Sequence, residues 1–134
     1  MTSAREFKLA NRIAILIVCV FLLSLFIFDR VYVGKLSKDL VSLTEQAEAH
    51  VHRGDWAEAG KYVKAVEQRF RETQNVLKLF YDHEDIDTLE TEVSTALQLI
   101  TVREPAEIFL CLENIKSIAS YLAGIETFSI PNLF

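Results

Sequence analysis

The feature that most limits how this chain can fold is an uninterrupted apolar run near its start. Between Arg12 and Asp29 lie sixteen residues, Ile13 to Phe28, without a charged side chain. The run is too long for one β-strand, and as a helix it spans about 24 Å. Because a bilayer core is about 30 Å thick, we expect residues 31–33 to extend the span while the flanking arginines reach toward the interface.

Two other structures are compatible with such a run, a cleaved signal peptide and a buried helix of a soluble domain. Signal peptidase requires small residues around its cleavage site, whereas the run ends at Phe28 and is followed by Asp29 and Arg30. A helix that is apolar on every face is either a core helix or a membrane span. We therefore predict an uncleaved transmembrane anchor.

The charges beside the run do not settle its orientation, because three basic residues precede it and three follow it closely: Arg5, Lys8 and Arg12, then Arg30, Lys35 and Lys38. The segment before the run is a short basic stub, as in signal anchors. By contrast, residues 35–134 hold 10 Lys and Arg against 17 Asp and Glu. We expect the N-terminus in the cytoplasm and the following domain outside it.

Residues 35–134 show the spacing of four amphipathic helices, with apolar residues recurring at steps of three and four. The predicted core faces are Leu36, Leu40, Leu43, Ala47 and His50; Trp56, Ala59, Val63, Val66, Phe70, Thr73, Leu77 and Phe80; Leu89, Val93, Ala96, Leu97 and Ile100; and Ile108, Leu112, Ile115, Ala119 and Leu122.

Capping and breaking residues predict where these helices meet. Gly54 ends the first helix, Asp55 caps the second, Asp87 caps the third, and Pro105 begins the fourth. Since the chain has only 4 Gly and 2 Pro, an all-β fold with many tight turns is excluded. The predicted fold is all-α, with a tail and transmembrane anchor (1–34) continuing into an antiparallel four-helix bundle (35–134).

The polar segment 82–92 is a formal candidate for binding a cation such as calcium, through Asp82, His83, Asp85 and Asp87. The segment lacks the spacing of a calcium loop, and acidic residues are expected at a helix start. We therefore favour a solvated helix junction over a metal site. His50 and His52 are two residues apart, so on a helix they point in different directions and cannot share a metal.

No residue pattern predicts catalysis or a cofactor. Cys111 is the only cysteine of the bundle region and lies among apolar residues, where a thiol behaves as a small buried hydrophobe. The net charge of -5 disfavours binding to nucleic acid. We predict that the chain is not an enzyme. Its last residues are apolar, and we predict that Phe128, Ile130, Leu133 and Phe134 dock either onto the bundle or onto a partner, for which they are the candidate contacts.

The order of features resembles the DUF4363 family. The resemblance is carried by the short basic tail, the single span, the Gly54-Asp55-Trp56 turn, the stretch from Phe80 to Asp87, and the final Asn132-Leu133-Phe134. It implies a small bacterial single-pass membrane protein with no known reaction. It also implies an accessory role, with a multi-pass membrane protein of the DUF421 type as a partner.

Two hypotheses of function follow. The first is a membrane-anchored, non-enzymatic interaction subunit of the bacterial cell membrane, which contacts the bilayer and either a membrane-protein partner or a second copy of itself. The second is an extracytoplasmic ligand or cation sensor that uses the acidic segment 82–92.

Overall fold

The computed structural model describes residues 3–124, and every regular element in that range is an α-helix. The four helices are α1 (Ala4–His52), α2 (Trp56–Phe80), α3 (His83–Val102) and α4 (Pro105–Gly124). No strand occurs among these described residues. The predicted all-α class is therefore confirmed, and so is the continuation of the apolar run into a longer helix.

The chain divides into two units, one ending at Tyr32 and the other beginning at Val33. In the first unit α1 is apolar and exposed. An 18-residue window of this helix reaches a mean hydropathy of 2.5, and none of the window is buried. By length and composition, α1 is suited to be a membrane span or a signal anchor.

The second unit is a four-helix bundle built from α1 beyond Val33 and from α2, α3 and α4. The connections between successive helices are only two or three residues long, which makes neighbouring helices antiparallel. Side-chain contacts join α1 to α2, α2 to α3, and α3 to α4, through Asp39–Arg69, Lys78–Asp87 and Glu92–Cys111. A contact between Glu48 and Lys116 joins α4 back to α1 and closes the bundle.

The core lies where the apolar faces of the four helices meet. Phe70 is its largest fully buried side chain. All five residues predicted for the inner face of α4 are buried, as are the predicted Ala59, Val63, Val66, Thr73 and Leu77 of α2. The spacing of apolar residues thus identified the centres of the inner faces of α2 and α4.

On α1 the predicted core face was wrong by one residue at two places. The buried positions are Thr44 and Val51, whereas Leu43 and His50 are only partly buried. Burial of Thr44 is tolerated because its hydroxyl donates a hydrogen bond to the Leu40 carbonyl at 2.7 Å. The polar imidazole of His50 instead lies at the edge of the core.

The predicted inner faces of α2 and α3 also need correction at their ends. Phe80 is 44% exposed, and Trp56 is only partly buried. Leu97 and Ile100 of α3 are likewise partly buried. These positions lie in or near the terminal turns of their helices, where fewer neighbouring residues surround a side chain than at the middle of the bundle.

The start of α3 was predicted one turn too late. Asp82, rather than Asp87, caps this helix, since its Oδ1 accepts a hydrogen bond from the Glu84 backbone N–H at 3.1 Å. Starting the helix there brings Ile86 into the core with no exposed surface. Burial of that side chain favours the earlier of the two possible caps.

Two turns at one end of the bundle use left-handed backbone. Gly54, in the turn that follows α1, has φ +73°. Asp55 caps α2, because its side chain accepts a hydrogen bond from the Glu58 N–H at 3.3 Å. These two predictions are confirmed, as is Pro105 at the first position of α4. At the turn before α4, Arg103 adopts φ 57° without being a glycine.

Candidate interaction site

The four residues predicted to contact a partner, Phe128, Ile130, Leu133 and Phe134, lie outside the described residues. Their role stays a prediction. The other candidate surfaces belong to the bundle and to the apolar part of α1.

The four candidate cation ligands are not brought together. Asp82 caps α3, and Asp87 forms an ion pair with Lys78 of α2, with Oδ1 3.3 Å from Nζ. His83 is exposed, and Asp85 is partly buried in the first turn of α3. Within residues 3–124, no three His, Cys, Asp or Glu side chains are placed to hold a metal ion. The acidic residues act here as helix cap and ion-pair partner.

A polar cluster joins α1 to α4 on one side of the bundle. Lys116 Nζ lies 2.9 Å from Glu48 Oε2 and 2.5 Å from Glu113 Oε1. Burial disfavours the charged form of Lys116 and so lowers its pKa. The hydrogen bonds and charges of Glu113 and Glu48 outweigh the effect of burial, and the pKa of Lys116 is raised. The same hydrogen bond to Lys116 lowers the pKa of Glu113. These charges therefore stabilise the α1–α4 contact.

A second polar cluster joins α3 to α4 around Glu92. The Cys111 thiol lies 3.0 Å from the Glu92 carbonyl oxygen and 3.2 Å from its Oε2, and Asn114 Nδ2 donates to Oε1 at 3.3 Å. Burial, followed by the hydrogen bond and charge of Glu92, raises the pKa of Cys111 to about 12. The thiol is consequently protonated at neutral pH and is a poor nucleophile. The expectation that Cys111 is buried is confirmed.

The two histidines near the end of α1 contact different helices. The His50 ring stacks on the Tyr62 ring of α2, with the ring centroids 5.3 Å apart. The centroid of the His52 ring lies 4.4 Å from that of the Phe109 ring of α4. His50 Nδ1 is buried without a hydrogen bond and lies 3.6 Å from Asp55 Oδ2. As the spacing predicted, the two side chains diverge, with His50 contacting α2 and His52 contacting α4.

Five large apolar or aromatic side chains are exposed on the surface of the bundle: Leu79, Phe80, Val102, Leu110 and Tyr121. Leu79 is the most exposed of them at 79%. Sequence reasoning assigned Phe80 to the core and did not single out the other four. Those four residues lie off the predicted core faces, where a single apolar residue carries no signal in the sequence.

Three comparisons with known proteins complete the description. The family model described as a domain of unknown function (DUF4363) matches residues 27–133, which confirms the resemblance drawn from the sequence. The match includes Phe128, Ile130 and Leu133 of the C-terminal segment. Neither the search of curated proteins nor the search of solved structures found a match.

Proposed function

This chain belongs to the DUF4363 family, and we propose that it is a membrane-anchored, non-enzymatic interaction subunit. The observation that carries the proposal is the exposure of the apolar part of α1. Leu16, Phe21 and Phe26 are 63%, 61% and 54% exposed, although they point in different directions around the helix. An apolar helix exposed on every face requires a bilayer or another protein to cover it.

The chemistry of the bundle's polar groups supports a structural role for them. The one thiol of the bundle is held protonated by burial and by Glu92. Lys116 and Arg69 hold α4 and α2, respectively, against α1 through Glu48 and Asp39. These groups stabilise contacts between helices, as expected for a scaffold that presents a surface to a partner.

The proposed location is the bacterial cell membrane, crossed once, with the bundle outside the cytoplasm. The basic stub before the span and the acidic balance of residues 35–134 support this orientation. Whole cells carrying Glu107→Cys or Ser3→Cys test it with a membrane-impermeant maleimide, since both positions are exposed. We expect labelling of Glu107→Cys alone, and labelling of Ser3→Cys alone contradicts the orientation.

The proposed partner is a membrane protein, with a multi-pass DUF421-type protein as the first candidate, or a second copy of this chain. Cross-linking in native membranes followed by affinity purification identifies it. We expect a cross-linked species that contains one defined partner. Recovery of the chain as an uncross-linked monomer, from membranes that also hold the candidate partner, contradicts the proposal.

The C-terminal segment is the proposed contact to that partner. Deleting residues 128–134 is expected to abolish cross-linking to the partner while leaving the melting temperature unchanged. A lower melting temperature with cross-linking retained means instead that the segment stabilises the bundle. If neither quantity changes, the segment has no part in the interaction.

A further inference from the structure

The end of α2 carries the most exposed large apolar side chain of the described bundle. Leu79 is 79% exposed and the neighbouring Phe80 is 44% exposed. Both lie in the last turn of α2, directly before the two-residue connection to α3. These two adjacent apolar side chains form a small exposed surface at the helix end, which we call the α2–α3 tip.

The register between α1 and α2 places this tip at the end of the bundle where the chain enters. Asp39 lies opposite Arg69, and His50 opposite Tyr62. Extending this register along α2 places Phe80 at the end of the bundle where Val33 lies. Val33 begins the bundle and directly follows the apolar part of the chain.

The charges near the tip favour an apolar contact over an electrostatic one. Lys78 is paired with Asp87, and Asp82 and Glu84 add negative charge close to Leu79. The tip itself has no cluster of Lys and Arg to bind anionic headgroups, and the basic Arg30, Lys35 and Lys38 belong to α1. The tip suits insertion of two apolar side chains between neutral headgroups, at the depth where amphipathic helices bury their apolar faces.

We propose that Leu79 and Phe80 insert into the bilayer that α1 enters, so that the α2–α3 tip is a second membrane contact of the bundle. This inference rests on the proposed membrane anchor. A second contact limits the tilt of the bundle relative to the membrane surface. The two contacts also direct the α1–α2 and α3–α4 turns, with Trp56 and Val102, away from the membrane.

Tryptophan fluorescence of the full chain in phosphatidylcholine vesicles tests the proposal. Leu79→Trp places a reporter in the tip, and Val102→Trp is the matched control, because Val102 is also a largely exposed apolar residue, at 64%, but at the opposite end of the bundle. The native Trp56 lies at that opposite end too, so the wild-type chain supplies the baseline. Phe21→Trp reports on the span itself.

We expect brominated acyl chains to quench the emission that Leu79→Trp adds to wild type, because an inserted aromatic ring lies at the membrane interface. The emission added by Val102→Trp is expected to stay unchanged. Quenching of Phe21→Trp without quenching of Leu79→Trp overturns the tip contact and leaves the anchor standing. If the emission of Phe21→Trp is not quenched, both the tip contact and the membrane anchor are overturned. A blue-shifted but unquenched Leu79→Trp shows that protein covers the tip, which also overturns the proposal.

Discussion

Lys116 of α4 contacts Glu48 of α1 through an ion pair in which Nζ lies 2.9 Å from Oε2, at a place where both side chains are more than four-fifths buried. The pair joins the first and last helices of the bundle, which are farthest apart in sequence. Its formation therefore requires α1 and α4 to come together across the two helices that separate them in sequence.

Removing this lysine is expected to destabilise the bundle. Lys116→Met leaves the mostly buried carboxylate of Glu48 without its cation, which costs about 1 to 3 kcal/mol of unfolding free energy. Chemical denaturation in detergent, followed by circular dichroism, measures the change. Lys61→Met is the matched control, because Lys61 forms an exposed ion pair with Glu58 and its loss should have little effect. Equal effects of the two substitutions contradict the stabilising role of the Lys116 pair.

Stability is expected to fall at alkaline pH. The pKa of Cys111 is raised to about 12 from 9.0, so the unfolded chain releases this proton first, and the stabilisation present below pH 9 is lost between pH 9 and 12. The raised pKa of Lys116 acts in the same direction above pH 10.5. Denaturation midpoints at pH 7, 9 and 11 measure the trend. Cys111→Ala should make the decline between pH 9 and 11 less steep, and an unchanged slope rules out Cys111 as its source.

Phe70 is expected to contribute more to stability than Trp56, although tryptophan is the larger residue. Phe70 is 1% exposed, and its truncation to alanine should cost about 3 to 5 kcal/mol. Trp56 is only partly buried, so Trp56→Ala should lower the melting temperature by less. Thermal denaturation of both variants decides the order. If Trp56→Ala lowers the melting temperature more than Phe70→Ala does, the indole contributes more to the core than the Phe70 ring, which contradicts the prediction.

The two left-handed residues give a paired prediction. Gly54→Ala should destabilise the α1–α2 turn by about 1 kcal/mol, because φ +73° is unfavourable for a residue with a Cβ even though no other atom lies within 4 Å. Arg103→Gly, at φ 57°, should stabilise the α3–α4 turn by a similar amount for the same reason. The free energy of unfolding of each variant measures these effects. If both substitutions stabilise the protein, or both destabilise it, the explanation from backbone φ is wrong.

The spacing of apolar residues predicted the helices and most of the core because burial follows the helical period. The inner face of α4, from Ile108 to Leu122, is correct at all five positions. The errors occur where the spacing of apolar residues is compatible with more than one buried face or helix start. Thr44 is buried because its hydroxyl has a partner within the helix, and Asp82 caps α3 because that start buries Ile86.

The contacts between helices were not predictable in the same way. Nothing in the spacing along α1 or α4 indicates that Glu48 faces Lys116, since that pairing depends on the register of two helices separated by two others. The exposure of Leu79 was missed for a related reason, because a single apolar residue off the core face carries no signal until its position at the end of the bundle is known.

The central claim is that α1 holds the chain in a membrane, and extraction of membranes with alkaline carbonate tests it most directly. We predict that the wild-type chain stays in the membrane pellet. The variant carrying both Leu16→Arg and Leu23→Arg should move to the supernatant, because each arginine near the centre of a span costs about 2.5 to 3.5 kcal/mol. Recovery of the intact wild-type chain in the supernatant contradicts the account.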